Sequence, residues 1–376
     1  RDDLAVVIPA HAPAPDVKRT VDGVPAGVAV VVVDDASAMP LVDGISPRDG
    51  LSVLRLLRQS GAAAARNAGA AATTGDVLAF VDADVEVAPG WLDRLSGHFA
   101  HPDVVAVAPR IRSRPAAGMV DVLERDLCAL DLGPDSGEVR RGARISYLPS
   151  TVLLVRRSAF EAVGGFDEAL TIGEDVDLVW RLQEHGTVRY DADEIALHGP
   201  RTSLRAALQR RWDYGSSAGP LDRRHPGRLR HLVLSVWSAI PWAAAVAHPA
   251  LGVVTAGALV GFAPRGMPAL PPGQARSLAA AGQWSGARGL ARYTVRPLWP
   301  VTLAAALTSR RIRRLLPALA VGYLAANARD LTGRPVSRVP VRLALRVADD
   351  VVYSAGVWRS CAAEQRPGPL LPELLG

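Results

Sequence analysis

The chain has 376 residues, of which 49% are apolar and 21% charged. That is enough for a large core and excludes a disordered chain. The two cysteines, Cys128 and Cys361, lie far apart, which excludes a disulfide framework and a cysteine-type metal site and fits a reducing compartment. The formal net charge of +6 comes from arginine, because Lys18 is the only lysine.

The first hundred residues alternate between strand-like and helix-like runs. LAVVIPA (4–10), VAVVVVDDAS (28–37), LSVLRL (51–56), VLAFVDAD (77–84) and VVAVAPRI (104–111) read as strands. Between them, the alanine-rich GAAAARNAGAAAT (61–73) and GWLDRLSGHF (90–99) read as helices. Near-continuous apolar strands separated by helices predict an α/β fold with a mostly parallel sheet covered on both faces. Ligands in such folds bind beyond the carboxyl ends of the strands. Pro9, Asp34, Asp35, Asp82 and Asp84 all fall at those ends. In an extended strand residues two apart share a side, so the carboxylates of Asp82 and Asp84 would crowd together. Such a pair resists ionisation unless something positive lies between, and a divalent cation is the natural candidate.

The middle of the chain holds the extended run STVLLVRR (150–157), the turn GGFDE (164–168) and TIGEDVDLVWRLQEHG (171–186). In the last of these Val176, Val179, Trp180 and Leu182 form a stripe of helical spacing. It places Glu174, Asp175 and Asp177 in a first helical turn, where the helix dipole alone favours acids. The final third differs again. No Asp or Glu occurs from Arg223 to Arg329, and residues 232–264 form 33 consecutive positions without a formal charge, interrupted by Pro241 and Pro249. Two helices over about 232–247 and 250–263 would each be short for a span. They suggest a re-entrant hairpin or in-plane helices, or else one tilted, kinked span. Further apolar runs flank Arg310, Arg311, Arg313 and Arg314, which read as cytoplasmic-side anchoring. A basic, acid-free, apolar region suits an anionic membrane surface. It argues against nucleic acid, which calls for basic residues interleaved with exposed aromatics. The alternative is a buried soluble helical domain. The chain begins with Arg1, so it reads as a fragment lacking an N-terminal segment; no signal peptide is evident.

VVVVDDAS, ARNAG, FVDAD, GGFDE and GEDVDLVWRL, in that order, resemble the family-2 glycosyltransferases of the GT-A fold over residues 4–215, which implies a Rossmann-like mixed sheet flanked by helices. More narrowly, HGPRTSLRAALQRRWDYGSSAGPLDRRHPG (198–227) followed by an apolar tail is similar to the mycofactocin-system glycosyltransferases. The resemblance implies a nucleotide-sugar half over 1–111, an acceptor and catalytic half over 112–227, and a helical, membrane-associated region over 228–376. It implies a UDP-sugar donor, UDP-glucose under the narrower likeness, and a small-molecule or peptide-derived acceptor of the premycofactocin type. Asp82 and Asp84 match the family's metal motif, for Mg²⁺ or Mn²⁺, with Asp82 also reaching the ribose. His198 matches a histidine that completes the metal shell in some relatives. Asp34 and Asp35 match the pair that holds uracil and ribose, with Pro9 and Ala10 lining the base, and Arg66 and Asn67 the segment beside the diphosphate. Asp175 matches the catalytic base of an inverting transfer, with Glu174 and Asp177 orienting the acceptor or capping the helix. Arg211 and Trp212 match the end of the Gln-X-X-Arg-Trp motif of processive synthases, but Leu208 stands where that motif has Gln. This leaves Arg211 and Trp212 as contacts to diphosphate and acceptor, and favours repeated addition of a few sugars over long-chain polymerisation.

Other readings remain open. The acceptor of such a transferase can be a lipid or a cell-envelope polysaccharide. A glycoside hydrolase also uses two carboxylates but needs no nucleotide elements. A nucleotidyltransferase would want a glycine-rich phosphate loop after the first strand, which is missing. A non-catalytic membrane scaffold has no use for Asp82, Asp84 and Asp175.

Overall fold

A computed structural model describes residues 3–11, 14–328 and 339–375. The chain forms two compact units, residues 1–204 and 205–376.

The first unit is built on a nine-stranded sheet. Its strands are β1 (Leu4–Ala10), β2 (Ala29–Asp34), β3 (Leu51–Arg55), β4 (Val77–Val81), β5 (Val85–Val87), β6 (Val104–Ser113), β7 (Gly137–Glu138), β8 (Val152–Arg156) and β9 (Thr187–His198). They are ordered β3-β2-β1-β4-β8-β6-β9-β5, with β7 beside β9. The expected parallel arrangement holds for β3, β2, β1 and β4. Beyond them the sheet is mixed: β8 runs antiparallel to both β4 and β6, and β9 returns parallel to β6. Every residue of β4 is buried, as a strand covered on both faces requires.

Helices α1 (Ala14–Asp22) and α3 (Trp91–Ser96) cover one face, where Val17, Trp91, Leu92 and Leu95 meet Val6, Ile8 and Val30. The other face is covered by α2 (Ala62–Ala71), α5 (Arg157–Ala162) and α6 (Glu174–Leu182), whose Ala65, Phe160 and Leu178 pack on Val7, Val33 and Phe80. The short α4 (Gly118–Asp121) follows β6. One glycine sets the height of α2 over the sheet. A Cβ on Gly69 would lie 2.3 Å from Val7 Cγ1 and 3.0 Å from Val33 Cγ2. The glycine of ARNAG thus lets Arg66 and Asn67 approach the strand ends.

The second unit is helical: α7 (Leu204–Ser216), α8 (Ala218–Arg224), α9 (Val236–Ala247), α10 (Pro249–Gly266), α11 (Pro272–Val295), α12 (Trp299–Thr308), α13 (Arg310–Ala326) and α14 (Val339–Glu364). A two-stranded parallel ribbon joins β10 (Val233–Ser235) to β11 (Glu373–Leu375). The uncharged stretch is two helices, broken at His248, whose side chain accepts the Ala250 N–H. Among the described residues no helix is long and apolar enough to cross a membrane, so the single kinked span does not form. The long α14 escaped sequence reasoning because it buries Asp349 and Asp350, which break its apolar stripe. It meets α7 and α8 backbone to backbone: a Cβ on Gly215 would lie 2.0 Å from the Tyr353 carbonyl oxygen, and one on Gly219 2.4 Å from that of Ser360.

Gly69→Ala is expected to destabilise the fold by about 1–3 kcal/mol, since Val7 and Val33 are stiff core side chains that cannot yield freely. Gly97→Ala, where nothing lies within 4 Å and φ is −56°, is expected to be neutral or slightly stabilising. Denaturant midpoints of the two variants check the contrast.

Candidate active site

The strand ends gather as the topology requires. Ala10 pairs with Asp34 across β1 and β2, and both aspartates of VVVVDDAS are buried. Asp34 accepts the N–H groups of Ser37 (2.8 Å) and Leu41 (3.3 Å) and an ion pair from Arg55 at 2.5 Å. Although burial works against its charge, the Ser37 and Leu41 amides and Arg55 hold its carboxyl below the usual range. Asp35 accepts the N–H groups of Ser60 (2.7 Å) and Gly61 (2.8 Å). These carboxylates shape the two loops at the rim and fix the start of α2. Between them and Ser37, Ala36 takes a left-handed φ of 55°, a conformation that costs energy in a residue with a Cβ. His11, which sequence reasoning passed over, reaches the same rim through Nδ1, 2.9 Å from the Asp35 carbonyl oxygen.

The acidic pair of FVDAD lies on a turn between β4 and β5, and not on an extended strand. Asp82 accepts the Val85 N–H at 3.2 Å through its carbonyl. The two carboxylates still sense each other: burial and Asp82 push the Asp84 carboxyl up, against the pull of His198 and Arg201. His198 reaches this turn because β9 ends opposite Val85. Its ring is buried, with Nδ1 2.8 Å from the Gly199 carbonyl and Nε2 3.8 Å from Cys128 Sγ. The Nδ1 contact fixes the tautomer that leaves a lone pair on Nε2. Among the described residues no group of three or more His, Cys, Asp and Glu stands ready to hold a metal ion. Asp82, Asp84 and His198 are therefore neighbours without forming a finished cage.

Arg66 ties this turn to the second acidic motif. Buried on α2, it donates to Asp82 at 2.7 Å and to Glu174 at 2.9 Å, and its guanidinium lies 5.2 Å from the centre of the Phe166 ring. Burial opposes its charge, but Asp82, Glu174 and Asp175 outweigh that and strengthen its hold on the proton. The Nε–H is buried without a partner. Beside Glu174, the half-buried Asp175 accepts the Val176 N–H at 2.8 Å and the Ser150 N–H at 3.4 Å. Burial, and then the like charge of Glu174, push its carboxyl up to about 7. Ser150 was not foreseen; its amide enters through the chain leading into β8, which no local motif marks.

Four of the expected site residues also make contacts within the protein. Asn67 donates to the Phe166 carbonyl and accepts the Phe166 N–H, both at 2.9 Å, and donates again to Glu168. Its amide latches α2 to the GGFDE turn. Asp177 is buried and bonds Arg181 at 2.6 and 2.9 Å, and Arg181 also holds the Val163 and Gly165 carbonyls. It braces the same turn. Arg211 makes a buried ion pair with Asp349 at 2.5 Å, and Trp212, next to it on α7, lends its carbonyl to Ser216. These two belong to the second unit, where a buried guanidinium must be paired to be tolerated.

The family model for glycosyl transferase family 2 matches residues 5–164. The pre-mycofactocin glycosyltransferase of Mycobacterium tuberculosis is 37% identical over 391 residues, covering 99% of this chain and 82% of the relative. The succinoglycan biosynthesis protein ExoU of Rhizobium meliloti is 29% identical over 49% of this chain and 58% of its own. A mannosyltransferase from Pyrobaculum calidifontis, solved with GDP-Man and Mn²⁺, gives a TM-score of 0.47 at 17% identity over 89% of this chain and 88% of that one, too loose a likeness to compare residues. The rim of strand ends, the acidic turn and the identity along nearly the whole chain agree: the chain belongs to glycosyl transferase family 2 and is a glycosyltransferase.

Proposed function

We propose that the enzyme transfers a sugar, glucose from UDP-glucose, to a hydroxyl of a premycofactocin-type acceptor with inversion at the anomeric carbon. The observation that carries this reading is the Arg66 bridge. One guanidinium joins Asp82, on the donor side, to Glu174, the neighbour of Asp175. The carboxylate suited to take a proton thus stands one residue from a group tied to the donor site. The identity to a pre-mycofactocin glycosyltransferase over 99% of this chain supports the acceptor class. A lipid or polysaccharide acceptor has no comparable support.

In this reading the rim of Pro9, Ala10, Asp34 and Asp35 holds the nucleoside. Asp175 accepts the proton of the acceptor hydroxyl as it attacks opposite the leaving nucleotide. Its raised proton affinity matches a base working near neutral pH. Glu174, held by Arg66, keeps a negative charge beside Asp175 that helps raise its proton affinity. A single displacement turns an α-linked donor into a β-glycoside. The residues fit a divalent cation: Asp82 and Asp84 offer oxygen, the Nε2 lone pair of His198 is near, and a cation would oppose the burial and the Asp82 charge that together hold the Asp84 carboxyl up. Mg²⁺ or Mn²⁺ bound there, its shell completed by diphosphate oxygens, would offset charge on the leaving group. We place the enzyme at the cytoplasmic face of a membrane, on the strength of the arginine-rich, acid-free stretch from residue 223 to 329.

Asp175→Asn is expected to lower kcat about 10²–10⁴-fold, read by mass spectrometry of products from UDP-glucose and acceptor. Full turnover by that variant would end the assignment. In the parent, kcat/KM is expected to rise with pH through about 7 as Asp175 loses its proton. Stability should move the other way. A carboxyl raised in the folded state binds more protons than in the unfolded one between its ordinary value and about 7. Stability therefore falls as pH rises across that window. Asp175→Asn should melt higher than the parent at pH 8, with the gap closing toward pH 4. Chelation by EDTA is expected to abolish transfer, and Mn²⁺ or Mg²⁺ to restore it; undiminished activity in EDTA would refute the metal role of Asp82 and Asp84.

A further inference from the structure

Three helices of the second unit, α9, α10 and α12, are built inside out. In water, large apolar side chains go inward and small or polar ones outward. Here the only buried residue of α10 is Gly252, and the only one of α12 is Ala306. Those of α9 are Ser238, Pro241 and Ala245. The small residues permit close approach: a Cβ on Gly252 would lie 2.6 Å from Ala245 Cβ, and one on Gly286 2.9 Å from Ser238 Cβ. The large side chains face out instead, with Trp237 61%, Val253 74%, Phe262 60% and Leu307 73% exposed. Helices that meet through glycine, alanine and serine and turn leucine, valine and aromatics outward pack as they do in lipid. An exposed apolar surface of this extent calls for a covering partner.

The charges say which partner. Every formal charge from residue 223 to 329 is an arginine. Arg310, Arg311, Arg313 and Arg314 are exposed at the start of α13, and Arg313 donates to the Ala306 and Leu307 carbonyls at the end of α12. Arg265 lies 4.9 Å from the centre of the Phe262 ring, so one end of α10 carries an aromatic and a cation together, as at a headgroup boundary. A second copy of this chain would bring arginine against arginine. Anionic phospholipid offers both the hydrocarbon and the countercharge. At 12 and 18 residues, α9 and α10 are about 18 and 27 Å long, and none of the described helices suffices to cross.

We infer that α9, α10 and α12 lie in one leaflet of an anionic bilayer, in the plane of the interface, with the arginines at the phosphates. This rests on the membrane placement proposed above and adds to it that the helices enter without spanning and that the lipid must be anionic.

The full chain, added to preformed vesicles of phosphatidylcholine with and without 30% phosphatidylglycerol, tests both. Co-sedimentation with anionic vesicles is expected to exceed that with neutral ones at least tenfold and to weaken with salt. The triple variant Trp237→Ser, Val253→Ser, Phe262→Ser should lose it while keeping its circular dichroism and its transfer to a soluble acceptor. Lipids brominated near the headgroup should quench the fluorescence that Trp237→Phe removes more strongly than lipids brominated near the chain ends. No binding to either vesicle would refute the membrane placement itself, and self-association of the free protein would then point to a second copy. Binding indifferent to lipid charge, or stronger quenching by the deep label, would leave that placement standing and overturn the in-plane, anionic inference.

Discussion

The catalytic unit depends on a buried arginine surrounded by acids. Asp82, Glu174 and Asp175 could not be held together at neutral pH without a compensating charge, and Arg66 supplies it from a helix lying across the sheet. Removing such a charge leaves its partners uncompensated, which costs far more than the pair contributes when whole. The guanidinium has fixed planar geometry and keeps its charge when buried, so it sets both spacing and electrostatics. Lysine could offer the charge but not the fork that meets two carboxylates at once.

The surrounding residues serve to hold that arginine in place. Gly69 lowers α2 onto β1 and β2. Asp35 fixes the start of the helix through Ser60 and Gly61, and Asn67 fixes its middle to the backbone of Phe166. Asp177, through Arg181, braces the turn to which Asn67 is latched. The motifs ARNAG, GGFDE and GEDVD, far apart in sequence, are thus parts of one mechanical assembly. Asp175, held by the Val176 and Ser150 amides, is left as the acid with a high proton affinity.

Much of this was legible in the sequence. The strands at 4–10, 28–37, 51–56 and 77–84 could be read because buried parallel strands are continuous apolar runs, and the acids at their ends mark the rim. The mixed half was harder. Pairing direction leaves no trace in the apolar run of β8, so its antiparallel insertion between β4 and β6 could not be read. Which polar atoms turn toward a ligand was harder still. Asn67 and Asp177 look like site residues by motif, yet their partners are a backbone peptide and an arginine whose roles only the folded chain reveals. Ser150 contributes an amide, which no side-chain pattern records. In the second unit, the buried counter-ion of Arg211, Asp349, lies 138 positions away, beyond the reach of any local motif.

The inward-facing glycines and alanines of α9, α10 and α12 reverse the usual pattern of tolerance to amino-acid change. In an ordinary core an inward leucine is costly to shorten. Here the inward positions cannot be enlarged, while outward ones accept any greasy residue. Selection should therefore keep the smallest side chains of these helices nearly invariant and let the largest drift among themselves, so a mutational scan would find its most intolerant sites where there is least to remove.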